Sequence, residues 1–222
     1  MEFSDDVIFS YISGVFNSIL FKDIVSRFNL RNPSILLDIF KFLADNIGNI
    51  VSSKNVSNYL KNEKISASLN TIREYLGYFQ NAFLLQKANR YDIKGKKLLE
   101  LYEKYYIGDL GFKNHLLGYK QNDIAQDLEN IVYLELISRG YEVTIGKVNN
   151  LEIDFMAQKA GETIYFQVTY LLADKSTIER EFGVFEKLGD NYKKIVLSLD
   201  EFFTSNYNGI EHKNIIDWCL DK

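Results

Sequence analysis

Near Gly108-Asp109-Leu110-Gly111 the spacing of apolar residues changes, and that change limits the chain to two kinds of folding unit in series. Before it, apolar residues return every three or four positions, as amphipathic helices require. After it, one helical segment gives way to short apolar runs separated by turn residues, as strands of a sheet require. Two domains are therefore expected, residues 1–108 and 109–222.

The first domain reads as helices followed by a hairpin. Val15, Ile19, Leu20, Ile24 and Phe28 mark a helix over Val15 to Phe28, which Asn32-Pro33 stops. Pro33 suits the first turn of a second helix, and Gly48 a left-handed stop after it. Ser52 or Ser53 can cap a third helix and Ser68 a fourth, with a break at Asn62 to Ser66. This is the pattern of a helix-turn-helix. Phe83-Leu84-Leu85 and Leu98-Leu99-Glu100-Leu101 bracket a turn at Asp92 to Gly95, which predicts a β-hairpin, or wing, with Lys94, Lys96 and Lys97 at its tip. On the fourth helix Asn70, Arg73 and Gln80 point away from the apolar stripe, and Asn and Arg are readers of base edges in a major groove. Winged helices also dock proteins, so duplex DNA and a protein both stand as expected partners.

Charge favours the first of these. The formal net charge is −4, yet residues 54–104 hold ten basic and five acidic residues, a local +5 on an acidic chain. Local charge governs phosphate contact more than the global sum does. The single cysteine, Cys219, excludes an internal disulfide and a Cys-based zinc site; beside Trp218 it reads as a small buried hydrophobe. His115 and His212 read as loop or surface residues, not a metal pair. No apolar run reaches the ~18 residues of a membrane span, and the acidic start (Glu2, Asp5, Asp6) is unlike a signal peptide. A cytoplasmic chain without a membrane partner is the expectation. Helical periodicity begins almost at once, as though the chain continued from something upstream. The turn Asp92-Ile93-Lys94-Gly95-Lys96-Lys97 lacks the first glycine, spacer and Ser/Thr of a Walker A loop, so these residues predict no ATP site.

The second domain orders its elements α-β-β-β-α-β: Asp127–Ser138, then strands at 141–145, 151–157 and 163–170, a charged helix at 175–188 and a strand at 194–199, with a closing helix at 214–220. That is a mixed α/β arrangement. Strand alternation puts Ile153, Phe155 and Ala157 on one face and Asp154 on the other. Gln167 and Thr169 share a face of the next strand, and Glu129 lies in the preceding helix. Polar groups inside apolar strands need partners or a purpose. These segments resemble the restriction-endonuclease-like PD-(D/E)xK fold. The resemblance implies Glu129 and Asp154 as the acids, with Gln167 as the variant form of the second ligand, together forming the catalytic site and the ligands of Mg²⁺, but Thr169 stands where the family has its lysine. The implied site is degenerate, with Asp154 and Gln167 hydrogen-bonded in a retired centre. The alternative is an active nuclease with a migrated lysine, for which Lys147, Lys159 and Lys175 are candidates. Glu179-Arg180-Glu181 reads as a solvated helix face with local ion pairs, or else brings Arg180 to Gln167 as a phosphate contact.

Six stretches in register carry a wider resemblance: Leu20-Phe21-Lys22-Asp23-Ile24-Val25-Ser26-Arg27, Lys104-Tyr105-Tyr106-Ile107-Gly108-Asp109-Leu110-Gly111, Leu128-Glu129-Asn130-Ile131-Val132-Tyr133-Leu134-Glu135-Leu136, Arg139-Gly140-Tyr141, Glu152-Ile153-Asp154-Phe155 and Glu179-Arg180-Glu181-Phe182. Together they resemble the C-terminal region of a prokaryotic family of AAA-type ATPases, a domain of unknown function. The resemblance implies a winged helix-turn-helix followed by the nuclease-like domain, with an ATP-binding domain as partner; the sequence leaves an oligomer open. Its alternative is a protein-docking module with no nucleic acid.

Overall fold

The computed structural model describes residues 4–201 and 203–221, apart from the side chains at 100 and 101. Glu2 and the side chains of Glu100 and Leu101, which the readings above used, therefore lie outside what is described. The chain is mixed α/β and forms two compact units. Unit 1 holds residues 1–87 and 105–120, and unit 2 holds 88–104 and 121–222. The units thus divide the chain differently from a single cut after residue 108.

Unit 1 contains α1 (Asp5–Ser18), which continues as a π-helical stretch (Ile19–Ser26), then α2 (Pro33–Ala44), β1 (Ile50–Val51), α3 (Ser53–Asn62), α4 (Leu69–Asn81) and α5 (Leu110–Leu117). Most of the local signals act as expected. Pro33 opens α2; Gly48 is left-handed at φ +71°, but α2 already ends at Ala44 with Asp45 as its cap, so Gly48 lies in the following turn and is not the helix stop. Ser52 accepts the Asn55 N–H in a reciprocal capping box, and Ser68 accepts the Thr71 N–H. Apolar stripes from α1, α2 and α4 meet in one core, where Phe40 lies 5.1 Å from Phe16 and 5.4 Å from Phe79 between ring centroids.

The first helix differs from the expected Val15–Phe28. It starts ten residues earlier, at Asp5, because its leading turns need no apolar stripe: Val7, Ile8, Phe9 and Tyr11 are all exposed. Asp5–Ser26 is 22 residues long and apolar enough to cross a membrane by length and composition, a property that no uninterrupted apolar run announces.

Unit 2 is a sheet with helices α6 (Ile124–Ser138), α7 (Lys175–Gly183) and α8 (Ile215–Cys219). The hairpin strands β2 (Leu85–Asp92) and β3 (Lys97–Ile107) enter it from unit 1. The remaining strands are β4 (Glu142–Val148), β5 (Leu151–Lys159), β6 (Glu162–Val168), β7 (Lys193–Ser198), β8 (Asn206–Tyr207) and β9 (Ile210–Asn214), in the order β2-β4-β5-β6-β7-β9-β8. The order α6-β4-β5-β6-α7-β7 is the one read from sequence.

Two details depart from that reading. The hairpin is not a free wing: β2 pairs in parallel with β4, Arg90 opposite Ile145 and Asp92 opposite Lys147. Its open edge is thereby satisfied by a neighbouring strand. Strand alternation also fails in β5. Met156 pairs with Thr144 but Ile153 with Gly146, so Asp154 and Phe155 together oppose one residue of β4. This β-bulge shifts the parity of the strand. Ile153 and Met156 join one core with Phe182 and Phe185, while Phe155 packs 5.8 Å from Tyr133 of α6. Gly146, paired with Ile153 beside the bulge, leaves little room for a side chain, since a Cβ there would lie 3.0 Å from Ile153 Cβ and from Ile93 Cδ1.

Candidate functional site: a carboxylate cluster closed by a lysine

Glu129 and Asn130 lie on the second turn of α6, Asp154 in the β5 bulge, and Gln167 near the end of β6. Beyond the Phe155–Phe166 pair the β5–β6 ladder is carried on by side chains. Asp154 Oδ2 accepts the Val168 N–H at 2.8 Å, and Gln167 Oε1 accepts the Asp154 N–H at 3.3 Å. Both polar side chains thus satisfy backbone donors that the bulge removes from regular pairing. Thr169 is buried, and its N–H donates to Leu197 O at 3.0 Å.

The residue that sequence reading missed is Lys104. It stands on β3, is 3% exposed, and places Nζ 3.0 Å from Glu129 Oε1 and 2.7 Å from Glu152 Oε1. Sequence analysis counted Lys104 with the basic surface, but it belongs to the interior of unit 2 and adds nothing to an exposed patch. Glu152 also faces Arg90 at 3.6 Å. The only signal available beforehand was a lysine inside the strand run Tyr102-Glu103-Lys104-Tyr105-Tyr106, and composition gives no reason to prefer it over its neighbours.

Of the proposed lysine substitutes, Lys159 and Lys175 have partners outside the cluster. Lys159 donates to Arg139 O at 2.7 Å and lies over the Tyr141 ring. Lys175 is exposed and faces Glu179 at 3.6 Å, and Lys147 stands opposite Glu152 in the β4–β5 ladder. Arg180 does not turn to Gln167. Its Nε and one terminal nitrogen donate to Glu181 Oε1 at 2.9 and 2.7 Å, with Glu181 only 5% exposed.

Electrostatics tie the cluster together. Burial pushes the Asp154 carboxyl well above the ordinary carboxylate range; Glu129 and Glu181 add to this, while Lys104 and the Val168 N–H oppose it. Asp154 keeps some solvent exposure as a residue, but its carboxyl is enclosed by protein, and the carboxyl is what sets the shift. For Lys104, burial alone would lower the pKa, but the carboxylates of Glu129, Asp154 and Glu152 outweigh it and raise it. A charged ammonium therefore faces at least two carboxylates, with Asp154 favouring its neutral form. Among the described residues no group of three or more His, Cys, Asp or Glu side chains is arranged to hold a metal ion.

The surface candidates sit on both units. On α4, Asn70 and Arg73 are exposed and 3.4 Å apart, whereas Gln80 turns its amide onto Leu76 O at 2.9 Å. Lys94, Lys96 and Lys97 are exposed at the hairpin tip, within unit 2. His212 is not a surface residue. It is buried on β9 and bonds Ser198 at 2.8 Å; the run Ile210–Asn214 lacks the strong apolar alternation that marks a strand in sequence. His115 lies on α5, 6.5 Å from Phe16 between ring centroids.

A family model described as Domain of unknown function (DUF8612) matches residues 2–123. The chain belongs to this family. The DUF8612 span takes in nearly all of unit 1 together with the β2–β3 hairpin and Lys104. The chain is also similar to an uncharacterized protein of Haemophilus influenzae, 40% identical over 209 residues, which covers 94% of this chain and 52% of that protein. An uncharacterized protein of Methanocaldococcus jannaschii is 30% identical over 216 residues, covering 96% of this chain and 46% of that one. The chain thus spans about half the length of these curated relatives. No solved structure gives a significant match.

Proposed function

We propose that this DUF8612 chain is an accessory region of a longer protein, one that binds nucleic acid through unit 1 and carries in unit 2 a nuclease-like centre that does not cleave. The observation that carries the reading is Lys104, whose ammonium lies between Glu129 and Glu152 where a hydrolytic centre would need its acids free. The other donors are committed too, Asp154 to the Val168 N–H and Gln167 to the Asp154 N–H. This donor set does not fit a hard divalent cation, which wants several unengaged oxygens. The cluster is instead a buried ion network that fixes β3, α6 and β5 together.

Binding by unit 1 is supported by charge. It holds eleven basic and nine acidic residues, a net +2, against fifteen and twenty-one in unit 2, a net −6. A helix-turn-helix built from α3 and α4 offers Asn70 and Arg73 at its surface. The resemblance to AAA-type ATPases adds an ATP-binding domain as the partner within the longer protein, and the cytoplasm as its place.

A second reading treats Lys104 as the migrated lysine of an active, metal-dependent nuclease, and its closeness to Glu129 favours that view. One experiment separates the two. Plasmid and linear DNA are incubated with the protein and Mg²⁺ or Mn²⁺, beside titration of Mn²⁺ by calorimetry. The proposal expects neither cleavage nor stoichiometric Mn²⁺ binding. Cleavage that vanishes in both Asp154→Ala and Lys104→Met would replace it with the nuclease. Absence of any duplex binding at ~50 mM salt would leave a protein-docking module instead.

A further inference from the structure

An open surface pocket of about 160 Å³ in unit 1 is lined by Asp23, Arg27, Phe28, Tyr78, Asn81, Ala82 and Phe83. Asp23 lies in the π-helical stretch and Arg27 caps it; π-helical insertions concentrate at functional sites. Phe28 and Tyr78 stack with ring centroids 3.8 Å apart, and Arg27 sits 5.7 Å from the Phe28 centroid. Asp23, Arg27 and Asn81 are exposed at its rim, and among the described residues their side chains carry no hydrogen bond or ion pair, which leaves them open to a ligand.

Phe83 is the most informative member. It follows α4 at φ +57° with its side chain in solvent, 74% exposed. Its N–H donates to Gln80 O at 3.1 Å, and the Leu84 N–H donates to Phe79 O at 3.0 Å. These are the two bonds of a Schellman motif, in which the left-handed position is usually glycine. The backbone is held there firmly, for a Cβ on Gly108 would come within 2.3 Å of Phe83 O. A bulky ring in a glycine position, gaining little burial in return, points to a use for the ring.

We infer that this pocket takes one unpaired nucleobase, stacked on Phe83 and hydrogen-bonded by Asp23, Arg27 and Asn81. Size sets the first limit: about 150 Å³ admits a benzene-sized ring, and whole cofactors need some 300 Å³ or more. Charge sets the second. An anionic guest would meet Asp23 and a cationic one Arg27, so a neutral ring with both donors and acceptors suits the pair. Stacking of bases on aromatic side chains beside an arginine is the general means of holding single strands. The net positive charge of unit 1 supplies the attraction for the flanking phosphates. The inference rests on the nucleic-acid reading above and adds a preference for unpaired bases.

The test compares the full chain with Phe83→Gly, a substitution that suits the backbone and so leaves folding intact. A single-stranded oligonucleotide with a central 2-aminopurine, and the same sequence as duplex, are titrated by anisotropy and by base fluorescence. The wild type should bind the single strand and quench the central base. Phe83→Gly should weaken single-strand binding about tenfold, the worth of one lost stack, with duplex binding unchanged. Arg27→Ala should weaken it as well. If the wild type binds duplex but Phe83→Gly binds single strands equally well, the pocket inference is overturned and nucleic-acid binding by unit 1 stands. If neither oligonucleotide binds, both fall together.

Discussion

Lys104 Nζ lies 3.0 Å from Glu129 Oε1, joining a hairpin strand to a helix 25 positions further along the chain. Glu152 completes the contact from β5 at 2.7 Å. A buried ion network of this kind is costly to break from one side, because the charges that remain lose their counterion. Lys104→Met should therefore destabilise unit 2 by about 3–5 kcal/mol, seen as a lower urea midpoint. Adding Glu129→Gln should recover part of that loss. A Lys104→Met variant as stable as wild type would mean that the network does not hold the fold.

Asp154 governs how that stability depends on pH. Its pKa is raised in the folded protein by burial first and then by Glu129. A group whose folded pKa exceeds its unfolded one contributes stability that is complete below the unfolded value and lost as pH rises through the folded one. Wild type should thus lose stability relative to Asp154→Asn as pH climbs from about 4 through the folded value, whereas Asp154→Asn should show a flatter profile. The raised pKa of Lys104 acts with the same sign but only in strongly alkaline solution, outside this window. Asp154→Ala is different. It leaves the Val168 N–H without its acceptor and should cost about 1–3 kcal/mol. Thermal midpoints at half-unit steps between pH 4 and pH 8 decide the matter, and parallel curves for wild type and Asp154→Asn would refute the assignment.

Much of the scaffold was legible because it rests on local chemistry. Ser52, Ser68 and Pro33 act through their own backbone neighbours, and their helices begin where the sequence implies. Asp154 and Gln167 were legible as polar residues in apolar strands, and they do bond one another's strands. What failed depends on partners distant in sequence. The bulge that turns Phe155 away from Ile153 arises from the register against β4, which no alternation within β5 encodes. The burial of Lys104 depends on Glu129 and Glu152 arriving from two other elements. The pairing of β2 with β4 satisfies an edge that a local reading leaves free as a wing.

The basic hairpin tip gives a test of nucleic-acid contact that does not touch the core. Lys94, Lys96 and Lys97 are exposed, so replacing all three by Glu should leave the thermal midpoint nearly unchanged. If the tip meets phosphates, duplex affinity should fall, and the slope of log affinity against log salt should flatten by roughly 0.9 for each contact removed. An unchanged slope would assign binding to α4, where Arg73→Ala becomes the decisive variant.

Phe83 yields a prediction about stability that stands apart from any ligand. Its left-handed backbone is imposed by two bonds at the end of α4 and by the approach of Gly108. A residue with a Cβ is strained there, and glycine is not. The ring returns little by packing, since it is 74% exposed. Phe83→Gly should accordingly stabilise unit 1 by roughly 0.5–1 kcal/mol, the relief of strain less the added freedom of glycine in the unfolded chain. Phe83→Ala removes the same ring but keeps the Cβ, so it should bring no such gain. Urea unfolding of the three proteins separates the two contributions. If Phe83→Gly and Phe83→Ala are equally destabilised, the ring is a packing element, and its exposure in solvent has another cause.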